Sequence, residues 1–216
     1  MNVYLIGHTM NPITVCSEAA AICTASDDYL SALRGAVACG HESVVEHASF
    51  TFRIEGVSRV LLAQLTRHRL ASFSVESQRY VKGSGLTTIV PAAIAADPEL
   101  AEEFEIMVHA ANMFYEGCLA RGIEAEDARY GLLMGGTTQL VMTMNARELL
   151  HFLKLRTCNR AQWEIRELAE RILLLCMDAA PELFKRAGCA CMQGKPCPEG
   201  KKSCGKPRKR EDLSHE

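Results

Sequence analysis

The stretch that sets the fold class reads Ala48-Ser49-Phe50-Thr51-Phe52-Arg53-Ile54-Glu55. Its apolar and polar side chains alternate, with Phe50, Phe52 and Ile54 on one side, and this pattern predicts a β-strand with one buried face. Apolar residues at helical spacing follow between Val57 and Thr66, so a helix is expected directly after the strand.

The rest of the chain predicts more helix than strand. Further strands are expected at 3–6 and 137–144, and further helices at 15–23, 27–39, 98–121, 146–156 and 161–177. We expect Ser26, Asp97 and Asn145 to cap the helices that follow them. Because strands and helices do not alternate regularly, we predict an α+β protein: a helix-rich single domain around a small, mostly antiparallel sheet.

Composition narrows the class of protein. The chain has 216 residues, 48% apolar content and a net charge of -2, which suits one compact domain and gives no general attraction to nucleic acid or membranes. No signal peptide or membrane-spanning run is visible, so a cytoplasmic protein is expected. The composition changes near Lys185, and we predict a catalytic domain at 1–184 and a Cys/Lys-rich appendage at 185–216.

Four cysteines lie in this C-terminal appendage: Cys189, Cys191, Cys197 and Cys204. Four thiols are the ligand number of a tetrahedral zinc site, although zinc knuckles normally use C-x2-C pairs, which are absent here. The alternative is a reduced, flexible basic tail, and both interpretations stay open. We expect most of the other cysteines to be small buried side chains; they are Cys16, Cys23, Cys39, Cys118, Cys158 and Cys176.

The densest polar cluster runs from Gln64 to Tyr80. It begins with Arg67-His68-Arg69 at a helix end, where the carbonyl dipoles favour cations. A serine-rich loop then leads to Ser77 and Arg79, and its hydroxyls, amides and guanidinium suit a phosphate monoester. The cluster predicts binding of anionic ligands, whereas a basic helix end followed by a solvated loop is the alternative.

Two more polar clusters are weaker signals when taken alone. Arg147 and His151 are four residues apart and share one helical face, which is more often simply solvated. The run from His41 to His47 lies between a helix and a strand, where a hydrogen-bonded turn is the ordinary interpretation.

Taken together, the clusters resemble the flavin-dependent thymidylate synthases. Arg67-His68-Arg69, seven residues and then Ser77 match that family's signature, which Gln78-Arg79-Tyr80 extends. Other segments that resemble the family are Gly40-His41-Glu42-Ser43, Glu46-His47, Asp127-Ala128-Arg129, Asn145-Ala146-Arg147, Leu155-Arg156 and Arg160-Ala161-Gln162-Trp163-Glu164-Ile165.

The resemblance implies roles for these residues. It implies that FAD is held across a subunit interface by His41, Ser43, Glu46, Arg67, His68, Arg69, Glu76, Asn145, Arg147 and His151. It implies that dUMP is bound by Gln64, Glu76, Ser77, Gln78, Arg79, Arg129 and Arg156. Arg156 is expected to be catalytic, because a guanidinium beside the uracil ring favours the N3 anion and directs electron density toward C5.

The implied enzyme is a homotetramer with shared active sites that methylates dUMP to dTMP. Methylenetetrahydrofolate provides the carbon, and FAD reduced by NADPH provides the hydride. No enzymic cysteine nucleophile is expected, since the one Pro-Cys pair, Pro196-Cys197, lies in the appendage. Ser77 has no evident base close in sequence, which argues against a nucleophilic serine.

Two other classes remain as alternatives. A nucleic-acid-binding protein would use the arginine-rich loop and the basic tail, but the negative net charge gives no overall attraction to phosphates and the 6% aromatic content leaves little stacking surface. A flavoprotein oxidase that only consumes NADPH would keep the flavin residues and have no use for Ser77, Arg79 and Arg156.

Overall fold

The structure, a computed structural model, describes residues 1–79 and 87–213. The strands of this part of the chain are β1 (Asn2–His8), β2 (Ser49–Ser58), β3 (Ala71–Val75) and β4 (Thr137–Asn145). Its α-helices are α1 (Pro12–Thr24), α2 (Tyr29–Ala38), α3 (Arg59–Leu65), α4 (Ala92–Ala95), α5 (Pro98–Ala120), α6 (Ala125–Ala128), α7 (Ala146–Arg156), α8 (Trp163–Ala179) and α9 (Pro181–Phe184). Tyr80, part of the predicted phosphate-binding cluster, lies outside the described residues.

The four strands form one sheet in the order β1-β2-β4-β3. The Thr9 amide donates to the Ser49 carbonyl at 2.9 Å, which joins the end of β1 to the start of β2, as in an antiparallel pair. The Glu76 amide likewise donates to Gln139 at 3.0 Å, which joins the end of β3 to the start of β4. The predicted α+β class and antiparallel sheet are confirmed.

The chain forms two compact units. The first consists of Met1–Ile54, Leu65–Phe73 and Val141–Glu216, and the second of Glu55–Gln64 and Ser74–Leu140. In the first unit, Phe50 meets Phe184 edge to face with 5.3 Å between ring centroids. In the second, Tyr115 and Cys118 of α5 pack with Ala128. Each unit therefore has buried apolar side chains of its own.

The helix that carries several predicted site residues, α7, begins where the sequence predicts. The Asn145 side chain accepts a hydrogen bond from the Glu148 amide at 2.9 Å, so it satisfies an amide that has no partner within the helix. The Asp97 carboxylate caps α5 in the same way, accepting from the amides of Glu99 and Leu100. Both caps were predicted and both are confirmed.

Two local predictions are wrong. The cap of α2 is Asp28 rather than Ser26, because its carboxylate accepts from the Ser31 amide at 3.0 Å. The predicted serine-rich loop begins as strand β3, since β4 lies beside it and supplies hydrogen-bonding partners. Along α5, the buried side chains are those of Tyr115 and Cys118, near its C-terminal end.

None of the helices in the described part of the chain combines the length and the apolar character needed to cross a membrane.

Candidate functional site

The first unit holds a buried polar cluster centred on His68. This residue follows α3, and its amide donates to the Leu65 carbonyl at 3.1 Å, which turns the chain at the helix end. Its imidazole is only 4% exposed, whereas the flanking Arg67 and Arg69 are exposed. The central residue of the Arg-His-Arg motif therefore points into the protein and its two neighbours lie at the surface.

Both ring nitrogens of His68 are hydrogen bonded. Nδ1 lies 2.9 Å from Oε1 of Glu148, and Nε2 lies 3.1 Å from Nε of Arg156. A guanidinium can only donate, so Nε2 accepts and the ring proton is on Nδ1, donated to the carboxylate. The contacts assign the neutral Nδ1–H tautomer.

Electrostatics favour the same neutral form. Burial lowers the pKa of His68, and the nearby Arg156 lowers it further, although the hydrogen bond to Glu148 acts in the opposite direction. Burial also lowers the pKa of Arg156. Because an arginine pKa starts far above neutrality, Arg156 stays charged, and it faces a neutral imidazole.

Helix α7 carries three of the polar side chains that surround His68. Glu148 and His151 are three residues apart on it, and Arg156 is its last residue. The His68 ring also packs edge to face against Phe152, with centroids 5.1 Å apart, and lies 5.9 Å from the His151 ring. Phe152 therefore forms an apolar wall beside the polar relay Glu148–His68–Arg156.

The ligand atoms of His68, Glu148 and His151 all lie within 4.8 Å of one another. This spacing alone would suit a metal ion. However, the Nε2 lone pair of His68 accepts from Arg156, and a guanidinium in contact with that nitrogen repels a cation. The cluster is better described as a hydrogen-bonded relay that orients Arg156.

A second contact of the first unit joins the start of α7 to the 3-10 turn Glu42–Val45. The Arg147 guanidinium forms an ion pair with Glu46 and lies 3.9 Å from Glu42. Glu46, followed by Glu42, raises the pKa of Arg147. His41 and Ser43, at and beside this turn, are exposed, so this predicted group lies at the surface of the unit.

The second unit carries most of the predicted dUMP residues. Arg79 Nη2 lies 2.6 Å from Oε2 of Glu126, and Arg129 Nε donates to the Glu126 carbonyl at 3.1 Å. Glu126 thus contacts two predicted phosphate-binding arginines at once. The Ser77 hydroxyl accepts from the Arg79 amide at 3.2 Å, which forms a tight turn at the end of the motif.

Arg59 is a third arginine of this unit, and the sequence did not indicate it. Its Nη2 donates to the Glu76 carbonyl at 3.1 Å, whereas its Nε is buried without a hydrogen-bond partner. Burial lowers the pKa of Arg59; Glu76 opposes this change and the charge of Arg129 adds to it. A guanidinium with an unsatisfied donor near a second guanidinium favours an anion.

Two further residues that the resemblance assigns to dUMP, Gln64 and Gln78, have these surroundings in the structure. The Gln64 amide group donates to the Val60 carbonyl of its own helix at 3.4 Å. Gln78 lines a small cavity together with Leu132 and Leu133. A larger depression of about 300 Å³ lies along α5 beside Phe104 and His109, and none of the predicted site residues lines it.

Glu148, the partner of His68, was also missed. Its position three residues after Asn145 has the spacing of a capping box, in which the glutamate bonds back to the cap. The capping-box spacing explains Glu148 by a local role and does not predict its contact with His68, which lies 80 residues away in the sequence.

Comparison with known proteins decides the family. The family profile described as "Thymidylate synthase complementing protein" matches residues 4–182. A flavin-dependent thymidylate synthase of Geobacter sulfurreducens is 44% identical over 95% of this chain and 94% of its own length. This chain belongs to the flavin-dependent thymidylate synthase family. The resemblance carried by Arg67–Arg69 and Ser77 is confirmed.

Other similar proteins support the same family assignment. The enzyme of Clostridium tetani is 39% identical over 95% of this chain and 94% of its own length. The crystal structure of the flavin-dependent thymidylate synthase from Helicobacter pylori, complexed with FAD and dUMP, superposes with a TM-score of 0.70 at 26% identity, covering 87% of this chain and all of that one. The crystal structure of a UMP/dUMP methylase from Streptomyces cacaoi bound with 5-Br dUMP superposes with a TM-score of 0.74 at 27% identity, covering 85% of this chain and 93% of that one.

Proposed function

We propose that this chain is a flavin-dependent thymidylate synthase, which converts dUMP to dTMP by reductive methylation with FAD. The observation that carries the proposal is the 44% identity along 95% of the chain to the Geobacter sulfurreducens enzyme. The Helicobacter pylori relative holds FAD and dUMP together, so a protein of this fold accommodates both.

The donor set of the second unit suits dUMP. Its phosphate monoester carries close to two negative charges, which guanidinium groups match well. Arg79 and Arg129 are held near each other by Glu126, and the Ser77 hydroxyl lies in the same motif. We assign phosphate and sugar binding to Glu76, Ser77, Gln78 and Arg79, assisted by Gln64 and Arg129.

The donor set of the first unit suits FAD. Its exposed arginines, Arg67, Arg69 and Arg147, carry the positive charge that a diphosphate requires. FAD, when bound, supplies the hydride that converts the transferred carbon to a methyl group. We assign the rest of the flavin contacts to His41, Ser43, Glu46, His68, Glu76, Asn145 and His151.

Arg156 is the proposed catalytic residue. Its Nε–H is held by the neutral imidazole of His68, which is fixed in turn by Glu148. This contact uses only Nε and sets the plane of the guanidinium. A guanidinium presented to the uracil ring stabilises the N3 anion and raises the electron density at C5, which attacks the one-carbon unit.

The proposal includes methylenetetrahydrofolate as carbon donor, NADPH as reductant of the flavin and no enzymic cysteine nucleophile. Two of the buried thiols are poor candidates for such a nucleophile. Burial raises the pKa of Cys16 to about 11 and raises that of Cys176 further, so neither forms the reactive thiolate near neutral pH.

We also propose a homotetramer. Helix α5 exposes large apolar side chains in the single chain, as a helix does before it is covered by a partner. They are Leu100, Ile106, Met107, Met113 and Phe114. Light scattering coupled to size exclusion should give four times the 23.8 kDa chain mass; a monomer at micromolar concentration would contradict the proposal.

The decisive experiment is spectroscopic. The purified protein, supplied with FAD, should show a flavin spectrum that anaerobic NADPH bleaches, and dUMP should change the rate or the spectrum. With methylenetetrahydrofolate added, dTMP should form. No flavin binding, together with salt-sensitive binding of oligonucleotides, would replace the proposal with the nucleic-acid alternative.

The variant Arg156→Lys sharpens this experiment. It keeps the charge and loses the planar fork, so it should retain the bound flavin and its reduction by NADPH while dTMP formation falls by about tenfold or more, a barrier increase of roughly 1.4 kcal/mol. NADPH consumption unaffected by dUMP in the wild type would indicate the oxidase alternative.

A further inference from the structure

The C-terminal tail, residues 185–213, is fastened to the loop between α7 and α8. The Asn159 side chain donates to the Lys206 carbonyl at 2.8 Å. Arg160 donates to the Lys202 carbonyl and lies 3.6 Å from Glu199. These contacts place the tail beside the end of α7, the helix whose last residue is Arg156.

The tail cysteines do not gather at one point in the described part of the chain. No three of the sulfurs of Cys189, Cys191, Cys197 and Cys204 lie within 4.8 Å of one another there. Cys204 is exposed, and its thiol donates to the Lys206 carbonyl at 3.4 Å. These four side chains therefore do not form, in this structure, the zinc site that the sequence suggested.

A second set of contacts joins the same loop to the tail through α8. The Arg166 guanidinium donates to the carbonyls of Asn159 and Ala161, both at 3.3 Å, and lies 3.8 Å from Glu170. Glu170 also pairs with Arg208 of the tail. The loop is thus held by α8 and by the tail together.

The most deeply buried of these contacts is made by Thr157, the residue after Arg156. Thr157 is fully buried. Its hydroxyl donates to the Leu153 carbonyl of α7 and accepts from the Cys189 amide of the tail, both at 2.8 Å. One hydroxyl therefore joins the last turn of the helix to the tail.

The tail peptide that meets Thr157 is held at both of its polar atoms. This peptide links Gly188 to Cys189; its amide donates to Thr157, and its carbonyl accepts from the Gln193 side chain at 2.7 Å. Gly188 has φ +121°, and a β-carbon there would lie 3.1 Å from the Met192 sulfur. Glycine alone fits this position without strain.

Arg156 lies between two fixed points. Its Nε donates to His68 at 3.1 Å, which fixes the far end of the side chain. The main chain at a helix end frays unless other groups hold it, and Thr157 holds it here. A catalytic group has to be kept within about 0.5 Å of its productive position.

We infer that Thr157, through its hydrogen bond to the Gly188–Cys189 peptide of the tail, is a positioning residue for Arg156. The hydroxyl fixes the main chain of the last turn of α7 while His68 fixes the guanidinium. The inference rests on the catalytic role proposed above for Arg156. It gives a part in the reaction to the tail, which lies beyond the family profile's match at 4–182.

The first test compares two substitutions of Thr157. Thr157→Val keeps the shape and loses the hydroxyl, so kcat for dTMP formation should fall by about tenfold or more as the guanidinium is misplaced. The KM for dUMP, the bound flavin and its reduction by NADPH should change little, as expected when an interaction of the transition state is lost. Thr157→Ser keeps the hydroxyl and should recover most of kcat.

The second test approaches the same contact from the tail. Gly188→Ala strains the peptide that donates to Thr157 without altering α7, so it should lower kcat in the same way. Gly194→Ala is the control, because Gly194 also has positive φ (+70°) but has nothing within 4 Å of an added β-carbon; it should keep kcat. Hydrogen exchange of residues 153–160 should speed up by about threefold or more in Thr157→Val and Gly188→Ala, and not in the control.

The outcomes separate this inference from the proposed function. Full kcat in both Thr157→Val and Gly188→Ala, beside an impaired Arg156→Lys, would overturn the positioning role and leave the function standing. Equal losses of kcat in Thr157→Val and Thr157→Ser would also overturn it, since the hydroxyl would then not be responsible. Full kcat in Arg156→Lys would overturn the catalytic assignment and this inference with it.

Discussion

At the scale of single residues, the state of His68 is set by the groups that surround it. Its imidazole is held between a carboxylate and a guanidinium, a pair of partners that leaves only one tautomer. The motif identifies the residue, and its neighbours decide that the ring is neutral. Two predictions depend on this arrangement.

The first concerns Glu148. Replacing Glu148 by Ala leaves the buried Nδ1–H of His68 without an acceptor, so we expect a loss of about 1–3 kcal/mol in the free energy of unfolding. Glu148→Gln keeps an acceptor oxygen and should lose clearly less. Denaturant unfolding of the two variants measures the difference; equal losses would contradict the role of Glu148 as acceptor.

The second concerns pH. The folded-state pKa of His68 lies below its ordinary value, so below about pH 6.5 the unfolded chain takes up a proton that the folded chain resists. This residue's contribution is therefore fully present above that pH and is lost as the pH falls toward the folded pKa. The melting temperature of the wild type should fall more steeply between pH 7 and 5.5 than that of His68→Gln. His109→Gln, an exposed position on α5, should follow the wild type.

At the scale of elements, α7 organises the site because one short helix carries Arg147, Glu148, His151 and Arg156. Asn145 starts this helix and is also a proposed flavin contact, so its two roles need separate variants. Asn145→Ala should cost about 1 kcal/mol of stability, whereas Asn145→Ser keeps the cap and should cost only a few tenths. Thermal unfolding of the flavin-free protein measures the cap alone. Equal destabilisation by both variants would mean that the hydroxyl does not replace the cap.

The start of some helices can be predicted from the sequence pattern alone, whereas some strands cannot. Asp97-Pro98 predicted the start of α5 correctly because capping depends on adjacent residues. Strand β3 was missed because its serine-rich composition has the character of a loop, and pairing with β4 decides otherwise.

At the scale of the whole molecule, charged contacts hold the tail. Arg208, whose side chain is 10% exposed, pairs with Glu170 of α8, and Arg210 donates to the Ala187 carbonyl at 2.7 Å. Arg208→Ala should lower stability by about 1–3 kcal/mol, because a partly buried carboxylate loses a partner. The tail lysines should then be cut faster by trypsin. Lys201→Ala, at an exposed site, should neither lower stability nor speed the cleavage of the tail. An unchanged rate of tail cleavage in Arg208→Ala would contradict this docking.

The sequence by itself determined the fold class, the alternation of β2, the caps of α5 and α7 and the family signature at Arg67–Arg69 and Ser77. The alternation and the caps depend on residues within a few positions of one another, the signature depends on one short stretch, and the fold class depends on the order of such local elements along the chain. Only the tertiary structure joined His68 to Glu148 and Arg156, which lie 80 and 88 residues away. It also brought Arg59 to Glu76, one of the predicted dUMP-binding residues. Contacts over such separations are decided by how helices and strands pack, because local periodicity carries no information about which distant side chain will fill a buried polar position.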